Sequence, residues 1–281
     1  MSEAAPRPGQ VKEITSLANP VVKDIKALAL KKNRDASGTF VAEGLKLAID
    51  ALDAGWTLKI LVIGKAAKDN PLAAKTAARA LARGVLVLEA SEKVLVAISR
   101  RDNPQGVIGV FGQRWHDLTE IRPAPDKVWV ALDRVRDPGN LGTIIRTADA
   151  AGASGVILIG ETTDPFALET VRATMGSVFA IPLYRANEQG FLDFRKKFGG
   201  LAVGTHLQGS VDYRTVNYAG KPLLLVMGNE QSGLTPALAQ GCDQLIRIPQ
   251  DGKADSLNLA VATGIALYET RRHLFKTDHK A

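Results

Sequence analysis

Between residues 128 and 249 the sequence is punctuated by short, nearly unbroken apolar runs, VWVAL, GVILIG, FAIPLY, LAVGTHL, PLLLVMG and QLIRIP, with helix-compatible stretches between most of them. A strand that is apolar at almost every position cannot leave one face in water, so both faces must be covered. Such strands separated by helices predict a mostly parallel sheet with helices packed on it, because parallel neighbours need a crossover connection. Ligands of these sheets collect at the carboxyl ends of the strands, so chemistry is expected in the loops that follow them.

Upstream the same alternation recurs on a smaller scale. GTFVAEGLKLAIDAL reads as strand into helix, TLKILVIG, VLVLEA and GVIGVFG as strands, AAKTAARALARG as a helix ended by Gly84, and SEKVLVAIS as a helix capped by Ser91. From Val21 to Lys32 apolar residues recur at helical spacing, with Lys23, Lys26, Lys31, Lys32 and Arg34 on or near the polar face. That face is either simply solvated or a surface that meets phosphates. QRWHDLTEIRPAPDK carries two prolines and no apolar period, which places a linker there. The resulting division is a disordered N-terminus over 1–10, a small α/β domain over 11–112, a linker over 113–126 and a second α/β domain over 127–281.

Lys and Arg number 36 against 29 Asp and Glu, a net charge of +7 that favours an anionic partner. The single cysteine, Cys242, excludes an internal disulfide framework and is expected to be a small buried side chain in a reducing compartment. No apolar run approaches the roughly 20 residues that span a bilayer, and MSEAAPRPGQ has no hydrophobic targeting core. A cytoplasmic protein without membrane contact is expected.

Three of the strand-end loops are unusual. In DRVRDPGNLGTIIRTADAAG, Pro138, Gly139 and Gly142 suggest a turn into a helix whose free N–H groups suit an anion. Arg146 is read as lying in the first turns of that helix, where the macrodipole disfavours a cation. Its compensation is either a phosphate or carboxylate ligand, or a salt bridge with Asp149 or Asp133. In LLLVMGNEQSGLTPAL, Gly228, Glu230 and Gly233 form a turn before a helix opened by Thr235 and Pro236. In IRIPQDGKADSLNLAVATGIALYE, Ser256 is a natural N-cap for a long apolar helix, which leaves Asn258 unexplained among apolar neighbours. G-x-G-x-x-G and P-loop motifs are absent, and the four His and one Cys show no metal-ligand spacing, so no metal is expected. His206, just after a strand, reads as structural.

Taken in order, N-L-G-T-I-I-R, G-N-E-Q-S-G-L and I-P-Q-D-G-K-A-D-S-L-N-L-A-V-A resemble the three motifs of the SpoU (TrmH-type) branch of the SPOUT RNA methyltransferases. ITSLANPVVKDIKALALKKNR, GTFVAEGLKLAIDAL and NPQGVIGV resemble the ribosomal-protein-like substrate-binding domain that precedes the catalytic domain in many members. Gln250 departs from the usual Met after I-P. The resemblance implies a C-terminal SPOUT domain tied in a trefoil knot, and transfer of a methyl group from S-adenosyl-L-methionine to a ribose 2′-hydroxyl. It implies cofactor contacts at Gly228, Ile248 and Leu257, and functional roles for Asn140, Arg146, Glu230, Ser256 and Asn258. It also implies an RNA substrate and a homodimer built through the C-terminal domain, with Tyr268 and Phe275 of the last helix at the contact. The N-terminal extension leans toward large-subunit ribosomal RNA over tRNA; a non-catalytic RNA-binding knot protein is the alternative of a different class.

Overall fold

The computed structural model describes residues 9–206, 211–253 and 255–275, so most of the N-terminal segment expected to be disordered lies outside the described residues. In chain order the first elements are β1 (Val11–Ile14), α1 (Pro20–Ala27), α2 (Lys31–Ser37), β2 (Thr39–Glu43), α3 (Leu45–Asp53), β3 (Leu58–Gly64), α4 (Pro71–Ala82), β4 (Leu86–Ala90), α5 (Glu92–Ser99) and β5 (Val107–Gly112). They are followed by β6 (Val128–Asp133), α6 (Pro138–Ala150), β7 (Gly155–Ile159), α7 (Leu168–Ala173), β8 (Leu183–Ala186), α8 (Glu188–Lys197), β9 (Leu201–Thr205), β10 (Val211–Asp212), β11 (Leu223–Met227), α9 (Pro236–Gln240), β12 (Gln244–Arg247) and α10 (Leu259–Arg271). One local rule starts several helices. Asn19, Asn70, Asp137 and Thr235 each accept a main-chain N–H at the N-cap with proline next in sequence, which satisfies an orphan donor and presets the first helical φ.

Two compact units result, and the first comprises residues up to Gln113 together with Phe166–Phe179. Its five-stranded sheet has the order β1-β4-β3-β5-β2, with β5 antiparallel to both neighbours and the other pairs parallel. The expected single helix over Val21–Lys32 is two helices. Asn33 Nδ2 donates to the carbonyl of Ala27, and Arg34 Nη1 donates to those of Leu28 and Ala29. Side chains thus satisfy the carbonyls that end α1, and Arg34 is buried rather than on the polar face. Ser91 stands at the N-cap of α5, but its hydroxyl makes no capping bond.

Phe166–Phe179 falls within the stretch that the sequence division assigns to the second domain, yet it completes the core of the first unit. Phe166 lies 4.8 Å from Phe40, and Phe179 lies 5.1 Å from Trp56 and 5.0 Å from Phe111, ring centre to ring centre. Trp56 Nε1 donates to the carbonyl of Phe179. Arg172, on α7, pairs at 2.9 Å with Glu43, whose side chain is only 2% exposed.

The second unit, Arg114–Pro165 with Ala180–Ala281, holds a seven-stranded sheet of order β10-β12-β9-β11-β6-β7-β8, parallel at every pairing. On one face Phe191 of α8 and Phe198, its C-cap, pack with Trp129, Ile157, Ile159 and Val226. Elsewhere α10 packs against α6, where Gly264 faces Thr147. Residues 114–126 are fastened to this unit: His116 forms a bridge with Tyr184, and Asp117 and Glu120 close a capping box. FAIPLY becomes strand only from Leu183, because Pro182 has no N–H to offer a ladder. Asp133, Ile159, Ala186, Thr205, Met227 and Arg247 mark the carboxyl ends of their strands.

Candidate active site

At the end of β6, Asp133 is buried and receives a bidentate pair of hydrogen bonds from Arg134, at 2.8 and 2.9 Å. Both interactions strengthen the protonated guanidinium, so the Arg134 pKa is raised further. At the end of β11, Gly228 is required by space. A Cβ there would lie 2.5 Å from main-chain atoms of Gly233 and Leu234. The intervening loop is tight, because Asn229 and Gly233 exchange main-chain hydrogen bonds of 3.0 Å in both directions. Asn229 is buried and ties the loop together: its Nδ2 donates to the carbonyl of Arg134, and its Oδ1 accepts from the N–H groups of Gln231 and Ser232.

Glu230 projects from this loop over the start of α6. Its carboxylate accepts from the main-chain N–H groups of Arg136 and Asp137, and from Asn140 Nδ2 at 3.3 Å. A carboxylate is favoured at this end of a helix, where unpaired N–H groups carry partial positive charge. Asn140 Oδ1 in turn accepts from Asn258 Nδ2 at 2.9 Å. Asn258 Oδ1 accepts from the N–H groups of Ala260 and Val261, which opens α10. One polar chain, Glu230 to Asn140 to Asn258, therefore connects residues drawn from all three strand-end loops.

This chain stands beside a cleft of about 1180 Å³ lined by Asn140, Gly228, Glu230, Ile248, Ser256, Leu257 and Asn258, among others. Met227, Ile246 and Leu259 give it an apolar floor, while Gln250 and Asp255 are exposed at its edge. The volume is more than a nucleoside-sized ligand needs. Leu257 has neither its main-chain N–H nor its C=O hydrogen-bonded to any described residue. Free peptide groups above an apolar floor suit a flat heterocycle recognised through the main chain, which fits S-adenosyl-L-methionine. Among the described residues no group of three or more His, Cys, Asp or Glu is placed to hold a metal ion.

Two expectations from the sequence are corrected. Asn258, not Ser256, is the N-cap of α10; Ser256 lies two residues earlier, exposed, with no hydrogen bond to a described residue. Asp137 caps α6 and Pro138 is its first residue, so Gly139 and Gly142 lie within the helix and Arg146 falls in its third turn. The macrodipole argument for compensating Arg146 fails there, since that field fades within the first turn. Arg146 does not line the cleft. It is exposed and makes no hydrogen bond or ion pair with a described residue, Asp133 being engaged by Arg134. Arg134 and Asn229 frame the site together with Asp133, and neither of the two was singled out in the sequence. The available signal was a carboxylate closing an otherwise apolar strand, followed at once by a cation.

The SpoU rRNA Methylase family matches residues 127–268, and the MRM3-like substrate binding domain matches residues 19–109. The chain is 35% identical over 261 residues to the 23S rRNA (guanosine(2553)-2'-O)-methyltransferase RlmP of Bacillus subtilis, covering 93% of this chain and 100% of that protein. It is 32% identical to a 23S rRNA (uridine(2479)-2'-O)-methyltransferase of Streptomyces viridochromogenes, covering 87% of this chain and 86% of that one. A crystal structure of an AdoMet-bound rRNA methyltransferase from Sinorhizobium meliloti matches with a TM-score of 0.91 at 62% identity, covering 95% of this chain and 100% of that chain. With an N-terminal substrate-binding match, the three strand-end motifs in order and relatives aligned over most of its length, the chain belongs to the SpoU rRNA methylase family.

Proposed function

We propose that this chain transfers a methyl group from S-adenosyl-L-methionine to a ribose 2′-hydroxyl in large-subunit ribosomal RNA. The observation that carries the reading is the convergence of Glu230, Asn140 and Asn258 beside a cleft whose lining includes Gly228, Ile248 and Leu257. The large-subunit assignment is supported by the relatives, which are named for 23S ribosomal RNA. The cofactor, when bound, supplies a sulfonium methyl group. Gly228, Ile248 and Leu257 hold it, mainly through the main chain.

A ribose hydroxyl is poorly acidic, so positioning and stabilisation of the developing alkoxide dominate the barrier. Arg146 is the cation for this task. A guanidinium stays protonated in proteins and cannot act as base, so Arg146 clamps the adjacent phosphate and lowers the pKa of the hydroxyl, whose proton leaves to water or a phosphate oxygen. Its exposure, with no partner among the described residues, supports that use. Glu230 is committed to α6 and Asn140, and therefore acts by holding Asn140 rather than by pairing with Arg146. Asn140 and Asn258 orient ribose or phosphate, and Ser256 offers its hydroxyl at the cleft edge.

The catalytic unit is knotted around the cofactor, and a sheet order that returns β11 to lie between β9 and β6 supports such a path. The chain works in the cytoplasm as a homodimer through α10, where Val261, Ile265 and Tyr268 are exposed and Tyr268 stacks on Phe275 at 5.1 Å. The first unit is ribosomal-protein-like and docks RNA, with exposed Lys23, Lys26 and Lys32 on α1 and α2. The test is incubation of the purified chain with labelled S-adenosyl-L-methionine and ribosomal RNA lacking the modification. Label recovered in alkali-resistant dinucleotides is expected, since a 2′-O-methyl group blocks hydrolysis; label only in alkali-sensitive products, or none, refutes the reading.

A further inference from the structure

Arg134 holds a backbone conformation that an arginine has little reason to adopt. Its φ is 48°, in the left-handed region that favours glycine and asparagine. Strain of this kind persists where surrounding contacts over-determine it, and here they do. The main-chain N–H of Arg134 donates to Ile159 at the end of β7 (3.0 Å), and its carbonyl accepts from Asn229 Nδ2 (2.8 Å). The guanidinium bonds both oxygens of Asp133, whose side chain is 1% exposed, and Nη2 reaches on to Ser232 Oγ (3.3 Å) and the carbonyl of Gly233 (3.4 Å). Asp133 Oδ2 also accepts from the N–H of Thr235 at 3.2 Å, just beyond the same loop. One residue thus fastens the ends of β6 and β7 to residues 229–233.

Asn229 closes that loop on itself through Gly233, Gln231 and Ser232, and Arg134 is what joins it to the ends of β6 and β7. Gly228 and Gly233 flank it, and Gln231 and Ser232 are exposed. Its cargo is Glu230, the residue that holds Asn140 and through it Asn258.

We propose that Arg134 is a positioning residue for methyl transfer: its strained backbone and forked side chain set the 229–233 loop at the height that places Glu230 over α6. The role rests on the cleft being the methyl-transfer site. A planar fork can grip Asp133 and the loop at once, whereas a point ammonium can satisfy only one of them. Glycine would suit the backbone better and grip nothing.

Two variants separate this role from plain support of the fold. Arg134→Lys keeps a charge beside Asp133 and loses the fork. The double variant Asp133→Asn/Arg134→Gly relieves the backbone and leaves no unpaired buried carboxylate, so its melting temperature should stay near that of the wild type. Both should transfer methyl about 10- to 100-fold more slowly in single turnovers, as small misplacements in active sites do. Cofactor affinity by calorimetry and KM for RNA should stay within about threefold. Amide hydrogen exchange at residues 229–234 should quicken in the double variant while β6 and α6 stay protected. A double variant that transfers methyl within twofold of the wild type, or whose loop amides remain as protected, overturns the proposal. If the wild-type chain transfers no methyl at all, the functional reading falls, and the exchange experiment still decides whether Arg134 holds the loop.

Discussion

At the scale of single residues, the site depends on which side chains are already committed and which are free. Glu230 accepts from main-chain N–H groups and Asn140, whereas Arg146 has no partner among the described residues. Arg146→Lys keeps the charge and should still lose about 10²–10³ of the turnover, because an ammonium cannot reproduce a planar bidentate grip. Steady-state kinetics on ribosomal RNA measures this, and near-normal turnover would remove the clamp. Asn258 does two things at once, capping α10 with its oxygen and bonding Asn140 with its nitrogen. Asn258→Asp retains the cap and favours the helix dipole, so thermal stability should hold while methyl transfer falls. The residue letters S-L-N-L-A could not distinguish Ser256 from Asn258 as the cap, since both are good caps and the apolar pattern tolerates either start. Cys242 is pushed up to about 12 by burial, so its thiol should resist disulfide reagents at pH 8 until the protein is unfolded.

Among the elements, the N-cap followed by proline at Thr235 and Pro236 was readable, because the signal is local. Elements whose position depends on distant partners were not. The break between α1 and α2 is made by Asn33 and Arg34 reaching back to carbonyls, and nothing in the spacing of apolar residues records that. Phe166–Phe179 has ordinary composition, yet its aromatic rings belong to the core of the first unit. Phe179→Ala should therefore cost about 3–5 kcal/mol, the usual price of an emptied aromatic site. Hydrogen exchange is expected to report the loss in β2, β3 and β5 ahead of β6, β9 and β11. Removing Arg172 alone would leave Glu43 buried and uncompensated, with a loss of about 3–5 kcal/mol, whereas Glu43→Gln together with Arg172→Met should recover part of it.

For the whole molecule, the fully parallel seven-stranded sheet follows from apolar runs that require cover on both faces, and the site sits at the carboxyl ends as that architecture requires. Strand order was beyond reach of pattern, because every strand reads alike. Val261, Ile265 and Tyr268 form an exposed apolar stripe on α10, and the proposed homodimer would place a second copy there. Ile265→Asp should shift the sedimentation of the chain toward monomer without lowering its melting temperature much, since that side chain is already 36% exposed. An unchanged sedimentation coefficient would place the dimer contact elsewhere. The most direct measurement is a transcriptome-wide map of 2′-O-methyl groups from cells with and without this gene. One ribose of large-subunit ribosomal RNA should lose its methyl group when the gene is absent and regain it on complementation with the wild type but not with Arg146→Lys. A ribosomal map that does not change, or a change confined to transfer RNA, would contradict the assignment.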